Sequence, residues 1–474
     1  MSRDLSDVVK AYDVRGVVPG QIDATVVRAL GAAFAHLVRS PVVIGYDMRP
    51  SSPDLSRAFA EGVAAQGWDV TLIGLCSTDG LYFASGSLNR PGAMFTASHN
   101  PAQYNGIKLC RAGAKPVGSD TGLEEVRRQA EAYLADGVPA ASSHGRIHEQ
   151  DLLAAYAEHL RSLVDLSGVR PLKVVVDAGN GMAGLTAPAV LGAEAGLPAL
   201  PLDVVPLYFE LDGTFPNHEA NPLDPANLVD LQRAVPQHGA DIGLAFDGDA
   251  DRCFVIDERG DPVSPSAVTG LVAVREIARE LAGGRRPTVL HNLISSAAVP
   301  QIIGEAGGDP VRTRVGHSYI KAEMASTGAI FGGEHSAHYY FRDFWGADTG
   351  MLAALHVLAA LGDQDRPLSE LAASYERYAA SGEINSRVDD IPATVAKVRA
   401  AYQDQPGNVV DELDGLTVTH AGSGDGDPMW WFNLRGSNTE PLLRLNAEAA
   451  DGGTMTRVRD AVLALVRDRE RIDW

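Results

Sequence analysis

Runs of aliphatic and β-branched residues recur along the chain, each closed by turn-forming residues and followed by a stretch with helical spacing. "PVVIGYD" (41–47), a helical stretch from about Leu55 to Gln66, "DVTLIGL" (69–75) and "GAMFTAS" (92–98) set the alternation. A second series runs through "LKVVVDAGNGMAG" (172–184) and "DIGLAFDGD" (241–249), where buried β-rich runs end in Asp, Gly and Asn. A third holds "PTVLHNL", "DPVRTRVG" and "GAIFGGEH" with helical segments between them. Strand and helix signals in alternation predict α/β units, three in succession rather than one large sheet. After about Ser381 the pattern changes to "EINSRVDD", "GLTVTHA", "MWWFNLR", "LLRLNAEAA" and a terminal helix "TMTRVRDAVLALVRDRE", which predicts a small α+β domain. Turn and charge signals at 137–150, 257–265 and 362–367 suit joins, so the expected domains are 1–147, 148–260, 261–367 and 381–474. Repetition is visible only at the level of the α/β unit.

The length of 474 residues agrees with three or four domains at roughly 150 residues each. Hydrophobic residues at 45% and charged residues at 21% place the chain among ordinary globular proteins. A formal net charge of -21 argues against nucleic-acid or anionic-membrane partners, which require a basic face. It permits a phosphorylated small molecule, provided basic residues cluster at a few loops. Cys76, Cys110 and Cys253 are widely spaced without a CxxC, so neither a disulfide framework nor a zinc site is expected. The start, "MSRDLSDVVK", has no apolar core of a signal peptide, and "MLAALHVLAAL" falls short of the roughly 18 residues of a membrane span. The expected location is the cytoplasm, as a monomer or homodimer.

Four loops carry candidate chemistry. "TASHNP" (96–101) pairs Ser98 with His99, and alone it leaves open a nucleophile, a helix cap or a loop residue. "DGDADR" (247–252) places Asp247, Asp249 and Asp251 at alternate positions after an apolar run. Three such carboxylates suit an all-oxygen cation site for Mg²⁺ or Ca²⁺, against an acidic surface turn as the plain alternative. The aspartates also match the first positions of an EF-hand, with Glu258 at the twelfth. Arg252 stands where that loop requires Gly, and the flanks read as strands, so the EF-hand is rejected. "GGEHSAH" (332–338) presents Glu334, His335, Ser336 and His338, either a metal site or, preferably, a loop that binds sugar hydroxyls. "RGSNTEP" (435–441) offers a guanidinium, a glycine and hydrogen-bonding side chains, a phosphate cradle or a solvated hairpin. "AYDVRG" (11–16) and "VGHSYIK" (315–321) are weaker signals.

One per predicted domain and in this order, these loops resemble the four active-site loops of the α-D-phosphohexomutase family, near its phosphomannomutase/phosphoglucomutase branch. The resemblance extends from "AYDVRG" to the last helix. It implies three similar mixed-sheet α/β domains and a C-terminal TATA-binding-protein-like α+β domain around a central cleft. It also implies that Ser98 is the phosphoserine and that Asp247, Asp249 and Asp251 hold Mg²⁺ beside it. Arg15 and Arg252 would lie near that phosphate, and Lys108 and His317 would serve as acid or base on the sugar hydroxyl. His99 is expected to support Ser98 rather than deprotonate it, since neighbours on an extended segment point apart. Tyr12, Glu334, Ser336 and His338 would face the sugar, and Arg435, Ser437, Asn438 and Thr439 the phosphate that is not reacting.

Two departures stand out: "HNLISS" (291–296) lacks a lysine that some relatives offer, and Ala337 stands where Gly is common. The expected activity is interconversion of hexose 1- and 6-phosphates, mannose phosphate first and glucose phosphate also, with a hexose 1,6-bisphosphate as activator. Phosphoglucosamine mutase is disfavoured by Thr96, whose place that branch usually gives to Ser. A phosphatase would need one aspartate to attack phosphorus, and a sugar-phosphate-binding scaffold would need no Ser98.

Overall fold

The computed structural model describes residues 3–424, 426–437 and 442–467, the side chain of His317 excepted. Four sheets follow one another along the chain. In the second, Leu172–Asp177 lies between Leu202–Leu207 and Ile242–Phe246, parallel to both, and Ile242–Phe246 turns back into the antiparallel strand Cys253–Asp257. The same order recurs in the first sheet. Val42–Tyr46 lies between Val70–Leu75 and Gly92–Phe95, and Gly92–Phe95 turns into Tyr104–Arg111. In the third, Thr288–Asn292 lies between Asp309–Thr313 and Phe331–Gly333, which turns into Tyr339–Phe341. "TASHNP", "DGDADR" and "GEHSAH" are therefore topologically equivalent, each the link from the third parallel strand to the antiparallel fourth.

That link needs a residue with positive φ. Ser98 (φ 50), Ala250 (φ 59) and Ala337 (φ 64) supply it, none of them glycine. Left-handed backbone costs a residue with a Cβ roughly 1–2 kcal/mol, so each loop is held by its surroundings rather than by local preference.

The fourth unit is a wholly antiparallel five-stranded sheet with the helices Ile391–Tyr402 and Gly452–Val466 packed on it, the α+β architecture expected. Its core, around Phe432, Leu445 and Val462, is its own. The second and third units instead share one continuous apolar core that also takes in Tyr82, Phe83 and Cys110 of the first. The apolar stretch "MLAALHVLAAL" is the buried centre of that core, in the helix Gly350–Gly362. Among the described residues no helix is long and apolar enough to cross a membrane, and the three cysteines are free and buried.

Polar groups lock the first three units together as well. Asp79, near the start of the helix Thr78–Leu88, accepts from Tyr156 Oη at 2.7 Å and Thr349 Oγ1 at 2.6 Å, one from each neighbouring unit. Burial pushes its carboxyl up to about 6, against the lowering effect of these hydroxyls and of Ser77. Keeping it ionised costs roughly 3 kcal/mol of stability. A carboxyl raised in the folded state stabilises most below the unfolded value near 4, and that contribution disappears as pH rises through about 6. The difference in unfolding free energy between wild type and Asp79→Asn is therefore expected to shrink by roughly 3 kcal/mol from pH 4 to pH 7. Paired melts across that range check it; a flat difference would refute it.

Candidate active site

Ser98 follows the strand Gly92–Phe95, and its neighbours in the first sheet bring further polar groups alongside. Lys108 comes from the adjacent strand Tyr104–Arg111, and Arg15 from Val14–Val17 on the far side of that strand. The metal-loop candidate reaches in from the second unit. Ser98 Oγ donates to Asp247 Oδ2 at 2.8 Å, and Lys108 Nζ bridges Asp249 Oδ2 at 2.7 Å and Asp251 Oδ2 at 2.6 Å. Arg252 holds Asp247 Oδ2 through Nε and Nη2 and also donates from Nη2 to His99 Nδ1 at 2.7 Å. Arg15 pairs with Asp13 at 2.6 Å and also contacts Asn100. The sugar-loop candidate closes the ring, since Arg252 and His338 form an isolated antiparallel bridge.

His99 corrects one expectation. The segment is not extended at Ser98, and the two side chains meet, Ser98 Oγ lying 3.2 Å from His99 Nδ1. Burial, reinforced by Arg252 and Arg15, lowers the imidazole well below its ordinary value. Because a guanidinium can only donate, Nδ1 accepts from Arg252, which occupies the atom nearest the serine.

The three aspartates present an unusual charge problem. Their carboxylates are buried, and their ligand oxygens lie within 4.8 Å of one another. Burial pushes Asp247 up to about 7, only partly opposed by Arg252. Asp249 goes the other way, because Lys108 and Thr78 overcome its desolvation. Asp249 Oδ1 and Asp251 Oδ1 are buried without a hydrogen-bond partner. Orphaned carboxylate oxygens in an all-oxygen set fit a hard cation such as Mg²⁺.

Glu334 is almost wholly enclosed: Oε1 accepts from Gly316 N at 3.0 Å and Oε2 from Tyr340 Oη at 2.7 Å. Ser336 Oγ lies 3.0 Å from His338 Nδ1. No cation comes from "HNLISS"; Asn292 there directs its amide toward Glu334. Tyr12 meets Tyr319 edge to face at 6.4 Å between centroids, joining the first and third units at the cleft. The helix His317–Thr327 begins beside it. In the fourth unit Arg435 and Ser437 stand where the strand Trp430–Gly436 ends, and Glu383 faces both Arg435 (3.6 Å) and Arg444 (3.3 Å). Asn438, Thr439 and the side chain of His317 lie outside the described residues.

Several supports of the site escape a reading of the loops alone. Arg49, fully buried, donates to the carbonyls of Ser98, Asn100, Pro101 and Tyr104 while paired with Asp47, so one guanidinium shapes the whole serine loop. Thr78 fastens a helix start to the metal loop, N to Asp249 O at 2.9 Å and Oγ1 to Asp249 Oδ2 at 2.5 Å. Arg444 comes from the cross-strand partner of Arg435. The only local signal for any of these is "DMR" after a strand, an acid and a base two apart.

Comparison with known proteins agrees with this arrangement unit by unit. Family models described as phosphoglucomutase/phosphomannomutase alpha/beta/alpha domains I, II and III match residues 6–135, 154–260 and 265–378, and that family's C-terminal domain matches 383–465. The chain belongs to the phosphoglucomutase/phosphomannomutase family. The mutase is 42% identical over 454 residues to the phosphohexose mutases of Xanthomonas campestris, covering 95% of this chain and 96% of theirs. It is 40% identical to a phosphomannomutase of Salmonella typhimurium, over 93% of this chain and 94% of that one. A crystal structure of a phosphoglucomutase/phosphomannomutase family protein from Burkholderia thailandensis superposes with a TM-score of 0.84 at 30% identity, over 99% of both chains. The mutase is accordingly an isomerase that acts on hexose phosphates.

Its two central loops meet backbone to backbone. A Cβ on Gly248 would fall 2.5 Å from Ser98 O. Gly248→Ala must therefore push the aspartate loop away from the serine, and displacement on the order of 1 Å in a pre-positioned site costs about 100-fold in rate. Steady-state kinetics is expected to show that loss in kcat/KM; a variant with undiminished turnover would mean that the contact is dispensable.

Proposed function

We propose that the mutase interconverts hexose 1-phosphate and hexose 6-phosphate through a phosphoserine at Ser98. Mannose phosphate is the first substrate and glucose phosphate is also accepted. The observation that carries this is the position of Ser98 Oγ, hydrogen-bonded to Asp247 within the buried aspartate cluster and flanked by Arg252. A lone serine in a turn has no need of such surroundings, whereas phosphoryl transfer depends on positioning and charge neutralisation.

In the forward step the sugar hydroxyl oxygen attacks the phosphorus of phosphorylated Ser98. The Oγ–P bond breaks, a new P–O bond forms at the free end of the sugar, and the hydroxyl proton passes to His317, while Lys108, held as an ammonium between Asp249 and Asp251, places positive charge beside Ser98. The hexose 1,6-bisphosphate so formed turns over, and its other phosphate returns to Ser98 Oγ. Asp247, Asp249 and Asp251, with Ser98, would hold Mg²⁺, which when bound supplies positive charge toward the phosphoryl oxygens. Arg15 and Arg252 stabilise charge that develops on the same oxygens. His99 fixes Arg252 in place. Arg435 and Ser437, with Asn438 and Thr439, hold the distal phosphate, while Tyr12, Glu334, Ser336 and His338 face the sugar. Bisphosphate acts as activator because it restores phosphate to an enzyme that has lost it.

Ser98→Ala is expected to keep the fold and lose nearly all turnover, and intact-mass and peptide analysis of active enzyme should find phosphate on the peptide that contains Ser98. A fully active alanine variant would overturn the mechanism.

Sugar choice follows from which hydroxyls are gripped. If Glu334 and Ser336 hold the 3- and 4-hydroxyls, they hold groups common to mannose and glucose, and the 2-epimers differ where neither residue reads. A hydroxyl that is not specifically read gives about 10- to 200-fold selectivity. Glu334→Gln is then expected to weaken both sugars in parallel, by roughly 1–3 kcal/mol for a lost charged hydrogen bond. Kinetics on the two 1-phosphates decides it; an effect confined to one epimer would show that carbon 2 is read directly.

A further inference from the structure

The motif "VGHSYIK" ends in a lysine that points inward rather than toward solvent. Lys321, on the helix His317–Thr327, has a side chain only 3% exposed. Its Nζ lies 2.6 Å from Asp348 Oδ1, 4.3 Å from the ring centre of Tyr82 in the first unit and 5.7 Å from that of Tyr340 in the third. The sheet explains why these groups converge. Tyr340 and Asp348 are cross-strand partners on the antiparallel strands Tyr339–Phe341 and Ala347–Asp348, so both side chains leave the same face. Tyr340 sits there in a small core with Ile320 and Met324 of the same helix. Burial opposes the charge on Lys321, but Asp348 and then Tyr82 outweigh it and raise the ammonium above its ordinary value.

A buried ion pair adds little to stability on balance, since well-packed apolar groups of the same size often serve as well or better. This pair reaches the site instead. Tyr340 Oη, kept protonated by burial, donates to Glu334 Oε2 at 2.7 Å. We propose that Lys321 is a positioning residue for the sugar loop: with Asp348 it fixes the ring of Tyr340, whose hydroxyl aims the carboxylate of Glu334, and through Tyr82 it sets that assembly against the unit that carries Ser98. An ammonium is drawn to the face of an aromatic ring, and here one ammonium faces two rings from different units. Tyr82 belongs to the helix Thr78–Leu88, whose first residue is bonded to Asp249. Gly316 N holds the other oxygen of Glu334 at 3.0 Å. A carboxylate accepts about four hydrogen bonds, so these contacts leave capacity for the hydroxyls of a sugar.

The inference rests on the reading of Glu334 as a sugar ligand, and the test keeps the two apart. Lys321→Met/Asp348→Asn removes both charges together, preserves the net charge and is expected to melt near the wild-type temperature. Its KM for glucose 1-phosphate should rise about 10-fold with kcat nearly unchanged, as for lost binding common to ground and transition states. Tyr340→Phe should do the same, and the triple variant should be no worse than either, because all act on one carboxylate. Wild-type KM in the charge-free variant overturns the inference, and so do additive losses. A fall in kcat at unchanged KM also overturns it: Asp348, His338 and Asp251 have ligand atoms within 4.8 Å of one another, and that result would route Lys321 through the metal loop. If the charge-free variant does not fold, Tyr82→Leu withdraws one ring from the ammonium and leaves both charges in place; a rise in KM is again expected, and its absence would refute the role. Glu334→Gln is the control. If it leaves KM and kcat intact, the sugar reading fails; if it raises KM while the charge-free variant behaves as wild type, only the positioning role fails.

Discussion

The structure turns on a charge imbalance that cannot be left in a protein interior. Three aspartates of one short loop are buried together, and their own unit supplies a single cation, Arg252, to face them. Isolated buried carboxylates cost far more than a fold can sustain, so they are paired, metal-bound or protonated. The second cation, Lys108, must come from the first unit, and its reach across the boundary brings Ser98 to the same spot. Three carboxylates against two cations leave an excess that is met by a proton on Asp247, which burial raises to about 7, or by a further cation, and two oxygens are unbonded. A site assembled from two chain segments, neither of which balances its charge alone, has the all-oxygen donor set that fits a hard cation.

The second organising constraint is topological. The same strand order three times over delivers three loops in equivalent positions, and each turn places a residue with a Cβ in left-handed backbone. Glycine would ease all three turns. At Ser98 the left-handed turn is met by Arg49, whose guanidinium gathers four carbonyls of the serine loop and the strand after it. At Ala337, also buried, no functional reason is visible.

Local pattern and spacing carry a great deal in this chain. The strands "VVIGY", "LKVVVD", "IGLAF" and "LLRLNAEA" are found where alternation and turn residues put them, because their burial is decided by residues within the strand. The loop motifs stand out as strings of six or seven consecutive residues, and the first three of them meet in the fold. Asp79, Thr78, Arg49 and Glu448 do not stand out. Each matters through a partner far away in sequence, as Asp79 does through Tyr156 and Thr349, and nothing beside it in the chain announces that partner. For His99 only the premise that its side chain points away from Ser98 fails, because whether neighbours diverge depends on φ at Ser98, which the tertiary contacts of the turn impose.

The separate core of the fourth unit has a consequence of a different kind. The second and third units share one apolar interior that takes in Tyr82, Phe83 and Cys110 of the first, and Asp79 ties all three, so heat or force cannot part the second from the third without exposing that interior. The fourth presents a seam, crossed by a few contacts such as Glu448 with Ala297 and Asp414 with Val315. Partial unfolding would begin there, and a protease should find the connecting segment near residue 380 before any other stretch of the core. The molecule thus joins three units tied across their boundaries to a fourth that keeps its core to itself.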